Sequence, residues 1–142
     1  MKALTLKAPW GTAIAKLGKD IENRSWKPPA AIVGTRIAIH QGAGLVRDGL
    51  AELEQEFGEV RCDHGVVTCT AIVKGWIDGD GNHSESLTAR EAARARRSRW
   101  YGGDVGWVLT SVRRPRAKVK LKGTLGVWTL PDRVAKRIGG RG

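Results

Sequence analysis

Lys19-Asp20-Ile21-Glu22-Asn23-Arg24-Ser25-Trp26 is the stretch on which the reading of this chain turns. In an extended segment, residues two apart share a face, so Glu22 and Arg24 point the same way. Lys19 falls just inside the turn before them, which lets the three charged heads converge on one pocket. Lys27-Pro28-Pro29 follows and prevents helical continuation. The plainer reading is a surface loop with an incidental ion pair, since exposed charge clusters contribute little stability.

Upstream, residues 2–6 alternate as a strand, and Pro9 opens a predicted helix from Trp10 to Leu17 that Gly18 ends. Lys19 therefore sits at a helix C-terminus, where a cation is favoured in any case. Downstream, Thr35–His40 reads as a strand, and His40 closes it before the glycine turn Gln41-Gly42-Ala43-Gly44. That placement makes His40 either a candidate acid or base or a half-exposed structural histidine.

Leu45 to Phe57 has helical periodicity, with Val46, Leu50, Leu53 and Phe57 inward. Its acidic face, Asp48, Glu52, Glu54 and Glu56, is expected to look away from any polyanion. Residues 65–77 form a long buried strand. Asp78–Asn82 is a turn without the closing Glu of a calcium loop. Thr88-Ala89-Arg90-Glu91 is a capping box, which gives Glu91 a structural task. Its helix is expected to reach about Trp100 and to show Arg90, Arg94 and Arg97 on one face.

A strand at 105–110 leads through Arg113, Arg114 and Arg116 into Lys118-Val119-Lys120-Leu121-Lys122, expected as a strand with lysines on one face. Such a row is commonly a solvated face or a guarded edge strand. Joined to the arginine helix, it would make a continuous stripe for phosphates. Trp76, Trp107 and Trp128 are expected in the core. Short strands interrupted by helices without regular βαβ alternation predict an α+β fold, a small mixed β-barrel with surrounding helices.

The 142 residues fit one domain, expected over 1–138 with a flexible tail at 139–142. The net charge of +11 and pI near 10.4 point to a polyanion, with nucleic acid first and RNA ahead of DNA. No strongly apolar helix face supports a membrane partner. Residues 1–17 show no signal-peptide core, so a cytoplasmic location is expected, as is a monomer. Cys62 and Cys69 read as thiols, and Cys62-Asp63-His64 with Cys69 matches no zinc spacing, so neither metal nor cofactor is expected.

Four segments, taken in order, carry a resemblance. Leu4-Thr5-Leu6-Lys7-Ala8-Pro9-Trp10, Gly18–Trp26, Ile37-Ala38-Ile39-His40 and Gly123-Thr124-Leu125-Gly126-Val127-Trp128 resemble the ASCH domain family of the PUA-like superfamily. Lys19, Glu22 and Arg24 fall on the ionisable positions of its Gly-x-Lys-x-x-Glu-x-Arg hallmark. The glycine position falls on Leu17, with Gly18 one place later. The resemblance implies a PUA-type barrel with a cleft lined by the hallmark residues and a nucleic-acid ligand, RNA above all. One bacterial branch hydrolyses N4-acetylcytidine, and ribonuclease activity is proposed for another. In the amidohydrolase branch the lysine matching Lys19 acts with a threonine, whose place Glu22 holds, and with a separate glutamate, for which Glu91 is the nearest match.

Three functions compete. As a binding module, the cleft would take a single-stranded or flipped base. Trp10 or Trp26 would stack on it, Glu22 and Arg24 would read its polar edge, and Ser25 would stand beside them. As a nucleoside- or nucleotide-directed hydrolase, Lys19 and Glu22 would carry the chemistry with help from His40. As an interaction module, the hallmark would be a buried salt-bridge cluster and the basic surface would dock an acidic partner.

Overall fold

Apolar residues alternate with polar ones at the start of the chain and bury Ala3, Leu4, Leu6 and Ala8 on strand β1 (Lys2–Ala8). The structure is a computed structural model and describes residues 1–139. Beyond β1 the elements are α1 (Trp10–Lys16), β2 (Ile21–Arg24), β3 (Arg36–Leu45), α2 (Arg47–Phe57), β4 (Val66–Ile77), α3 (Ala89–Arg96), β5 (Val105–Arg113), β6 (Val127–Thr129) and α4 (Asp132–Ile138). The strands form one six-stranded mixed sheet in the order β2-β5-β4-β3-β1-β6. β1 runs parallel to β3, and the other ladders are antiparallel.

The α+β class is as expected, but the sheet is not a closed barrel, since β2 and β6 remain its edges. β6 is three residues long and covers only residues 2–4 of β1. Past that point the sheet curls until Arg24 of β2 reaches β1, where its Nη2 donates to the Thr5 carbonyl at 3.1 Å. The curled face encloses fully buried Trp107 with Leu4, Ile14, Ile37, Ile39 and Val73. Trp76 and Trp128 are only partly buried against the cores.

Several boundaries differ from the sequence reading. β3 runs straight through Gln41–Leu45, where a glycine turn was expected. Gln41 is fully buried there, and its side chain bonds Thr12 and the Asp63 carbonyl. A Cβ on Gly42 would lie 3.1 Å from Thr5, so glycine serves close strand packing rather than a reversal. α3 stops at Arg96 because Ser98 leaves the helix to donate to the Asp20 carboxylate. α2 buries only Gly49 and Leu53, and Phe57 is exposed. Residues 118–122 are not a strand: Lys120 makes one isolated bridge with Val66, although Val119 is buried between exposed lysines. Gly139 caps α4 in a left-handed conformation, and the rest of the expected tail lies outside the described residues.

Candidate functional site

The hallmark stretch is shaped by the end of α1. The Leu17 and Lys19 N–H groups both return to the Ala13 carbonyl, at 2.9 and 3.2 Å. Gly18 between them takes φ +75°, a conformation that favours glycine. This turn sends Lys19 inward, leaving it 3% exposed. Its Nζ donates to the Ile21 carbonyl and stands 3.6 Å from Glu22 Oε1. β2 then pairs Glu22 with Trp107 of β5, which holds the carboxylate 6% exposed. Glu22 Oε2 lies 3.2 Å from Arg24 Nε, but Arg24 Nε makes no aligned hydrogen bond.

The three heads therefore converge, Glu22 and Arg24 through the two-residue period and Lys19 through the turn at Gly18. Burial pulls the Lys19 amine below its ordinary range, and the Glu22 charge opposes that shift. Burial pushes the Glu22 carboxyl up, against the pull of Lys19 and Arg24. Ion pairs hold Glu22 in place while leaving acceptor positions on its carboxylate for a donor from outside.

Glu22 faces a cavity of about 420 Å³ whose walls include Trp10, Lys19, Glu52, Glu56, Arg99 and Trp100. A neighbouring cavity of about 380 Å³, reaching Thr5 and Arg24, shares Trp10, Glu22 and Asn23 as its wall. Lys19 Nζ lies 5.6 Å from the Trp10 ring centre and 5.9 Å from that of Trp100. Trp100 stacks on Phe57 at 6.5 Å, and Arg99 sits 4.9 Å over Trp100 while pairing through two contacts with Glu56. α2 approaches closely, because a Cβ on Gly49 would lie 2.7 Å from the Trp10 ring. The acidic face of α2 is thus not turned away: Glu52 and Glu56 line the cavity.

Of the expected stacking residues, Trp10 is at the site and Trp26 is not. Trp26 is 37% exposed and packs edge-on against Trp107 at 5.0 Å, with Arg24 beside it. Ser25 is exposed on the same segment and lines neither cavity.

His40 is not at a strand end but in the middle of β3, 1% exposed. Its Nε2 is 3.0 Å from the Leu121 carbonyl, which can only accept, so Nε2 carries the proton. Nδ1 then accepts from Thr5 Oγ1 at 3.2 Å, and that hydroxyl accepts from Trp128 Nε1 at 2.9 Å. Burial depresses the His40 pKa. The ring is a neutral pin for the 121–123 segment and lines neither cavity at Glu22.

Glu91 completes the capping box with Thr88 and pairs with Lys74, which holds its carboxyl at about 2. Arg90 and Arg94 ride on α3 and Arg97 caps its C-terminus, and Ala92 and Ala95 of the helix pack with Ile77 at the end of β4. Arg114, Arg116, Lys118, Lys120 and Lys122 follow β5, and Lys120 bridges Val66 at the start of β4. Arg113 ends β5 opposite Thr70. The two basic groups thus flank opposite ends of one strand rather than forming a single stripe.

Sequence reasoning missed Trp100, Arg99, Glu52 and Glu56. Extending α3 to Trp100 hid the Arg99-Trp100-Tyr101 turn, which was the available signal. Among the described residues no three His, Cys, Asp or Glu side chains are grouped as metal ligands, and no helix is long and apolar enough to cross a membrane. Burial pushes the Cys69 thiol up to about 12.

An open, curled α+β sheet with a charged cleft at the end of its first helix is the class defined by this geometry. No family model matches the sequence, and no curated protein sequence matches it. Solved structures do. The ASCH protein of Zymomonas mobilis superposes with a TM-score of 0.55 at 16% identity, covering 98% of this chain and 93% of that one. Its serine-to-alanine and tyrosine-to-phenylalanine variants give TM-scores of 0.53 each at 14% and 15% identity, covering 98% of this chain and 94% and 96% of theirs. The chain has an ASCH-like fold.

Proposed function

We propose that the protein binds nucleic acid by taking one unstacked base into the cavity beside Glu22. The observation that carries this reading is a buried carboxylate, fixed by two cations, facing a cavity with tryptophans on its walls. The volume falls within the roughly 300–1,000 Å³ of small-molecule pockets. Trp10 and Trp100 offer flat apolar faces, and base–aromatic stacking tolerates any base. Glu22 accepts from an exocyclic amine, which favours cytosine or adenine. Binding of cytidine and adenosine but not uridine, followed by the rise in melting temperature and by quenching of tryptophan fluorescence, is the expected result. Equal or absent responses to all nucleosides would overturn it.

A hydrolytic reading has one observation in its favour. Lys19 Nζ and Glu22 Oε1 lie 3.6 Å apart out of water, and burial pulls each group toward its neutral form. Release of cytidine from N4-acetylcytidine, abolished by Lys19→Ala, would support it. An unchanged substrate would leave the protein a binder.

A further inference from the structure

Charge is divided unevenly between the cavities. At Glu22 three carboxylates, Glu22, Glu52 and Glu56, face Lys19 and Arg99. That wall suits a base with amino groups and repels a phosphate. A separate cavity of about 290 Å³ lies between α1, the start of β4 and residues 114–118, and its charge has the opposite sign. Five cations line it (Lys16, Arg61, Arg114, Arg116 and Lys118) against the single carboxylate Asp63. Lys118 pairs with Asp63 at 3.0 Å and Arg61 with Glu59 at 3.0 Å, both as exposed pairs that hold little energy. Lys16, Arg114 and Arg116 form no ion pair among the described residues.

The floor of this cavity is fixed rather than loose. Thr68 Oγ1 donates to the Gly11 carbonyl at 2.9 Å. The buried Gln41 side chain accepts from the Thr12 N–H at 2.9 Å and donates to Thr12 Oγ1 at 2.9 Å and to the Asp63 carbonyl at 2.8 Å. α1, β3 and the segment before β4 are thereby tied together under the cations. A third cavity of about 270 Å³ shares Thr12, Lys16 and Arg61 with this one and extends past Leu17 to Phe57. Phe57 stacks on Trp100, which is already a wall of the Glu22 cavity. The cationic cavity and the groove share three residues, and the Phe57–Trp100 stack stands between the groove and the base cavity.

We propose that the cationic cavity formed by Lys16, Arg61, Arg114, Arg116 and Lys118 is a phosphodiester subsite. A single strand of nucleic acid lies from it across Leu17 and Phe57, so that phosphates rest on the cations while one base turns into the Glu22 cavity. The inference rests on the base-binding reading of that cavity and adds the path that the strand takes to reach it. Lys16 and Arg61 are the new members. Arg114, Arg116 and Lys118 belong here rather than to a stripe shared with α3.

The test is fluorescence anisotropy with labelled single-stranded RNA of two to ten nucleotides, and DNA of the same lengths, over a range of salt. Each phosphate contact adds about 0.7 to the slope of log affinity against log salt for a single strand. The triple variant Lys16→Gln, Arg114→Gln, Arg116→Gln should lower that slope by about 2 and weaken long oligonucleotides about 100-fold at 0.1 M salt. A dinucleotide, too short to span the track, should bind as before. If the triple variant melts early, the pair Lys16→Gln, Arg114→Gln carries the same test with about a 25-fold loss. Unchanged affinity and slope at every length overturns the subsite, and a Trp100→Ala variant that still weakens the dinucleotide then leaves the base cavity standing. A lowered slope with no effect of Trp100→Ala at any length overturns the base cavity, and with it the path that ends there.

Discussion

Replacing Glu22 by Gln removes the counter-charge of a lysine that is 3% exposed. Breaking a buried ion pair from one side costs about 3–5 kcal/mol, because a charge is left desolvated and unpaired. Arg24 is partly exposed and regains water, so the lower figure applies, about 3 kcal/mol. At about 2.1 cal/mol/K per residue, a chain of 142 residues has an unfolding entropy of roughly 0.3 kcal/mol/K, so the melting temperature should fall by about 10 °C.

The deficit should also depend on pH. Burial lowers the folded pKa of Lys19 below the unfolded 10.5. A lowered pKa contributes stability that is present above the unfolded value and lost as pH falls through the folded one. Without Glu22 the folded value drops further and that window widens, so the Glu22→Gln deficit shrinks as pH rises from 7 toward 10. It shrinks on the acid side too. The folded pKa of Glu22 is raised, so protonation of the parent carboxyl removes the difference between Glu and Gln. Urea unfolding at acid, neutral and alkaline pH reads all of this. Adding Lys19→Met to Glu22→Gln should recover more than half of the loss at pH 7. A deficit below about 1 kcal/mol, or one flat with pH, would refute the claim that Lys19 and Glu22 are a desolvated pair.

Three further outcomes follow from the same geometry. Trp10→Ala and Trp100→Ala should each weaken nucleoside binding by about 5- to 150-fold, from 1–3 kcal/mol per stacked base, while Trp26→Ala leaves titrations unchanged. Gly49→Ala drives a methyl group to within 2.7 Å of the Trp10 ring, so it should cost about 1–3 kcal/mol in chemical unfolding and weaken nucleoside binding in parallel. His40 has a depressed folded pKa, so its contribution is present above its unfolded value and lost as pH falls through the folded one. His40→Gln should therefore flatten the acid limb of a stability–pH profile.

Much of the site was legible because it is local. The period of two placed Glu22 beside Arg24, Gly18 marked the turn that aims Lys19 inward, and Pro28 and Pro29 bounded the segment. What the sequence hid is set by partners distant in the chain. Gln41-Gly42-Ala43-Gly44 looks like a turn until β1 lies against it and Gln41 finds Thr12 and Asp63. The acidic stripe of α2 looks solvated until Gly49 lets that helix rest on Trp10. Trp100 joins the site because Ser98 prefers Asp20 to another helical turn. The barrel expectation is met only loosely, since the sheet curls without closing and its edge strand β6 is three residues long.

The location of the ligand is tested most directly by following the indole N–H signals of the six tryptophans in two-dimensional NMR while cytidine or adenosine is added. Trp107 Nε1 donates to the Trp26 carbonyl and Trp128 Nε1 to Thr5, so these two signals should hold still. Saturable shifts of Trp10 and Trp100 that disappear in Glu22→Gln are the predicted result. Shifts confined to Trp26, or six unmoved signals with every nucleoside, would contradict a base cavity at Glu22.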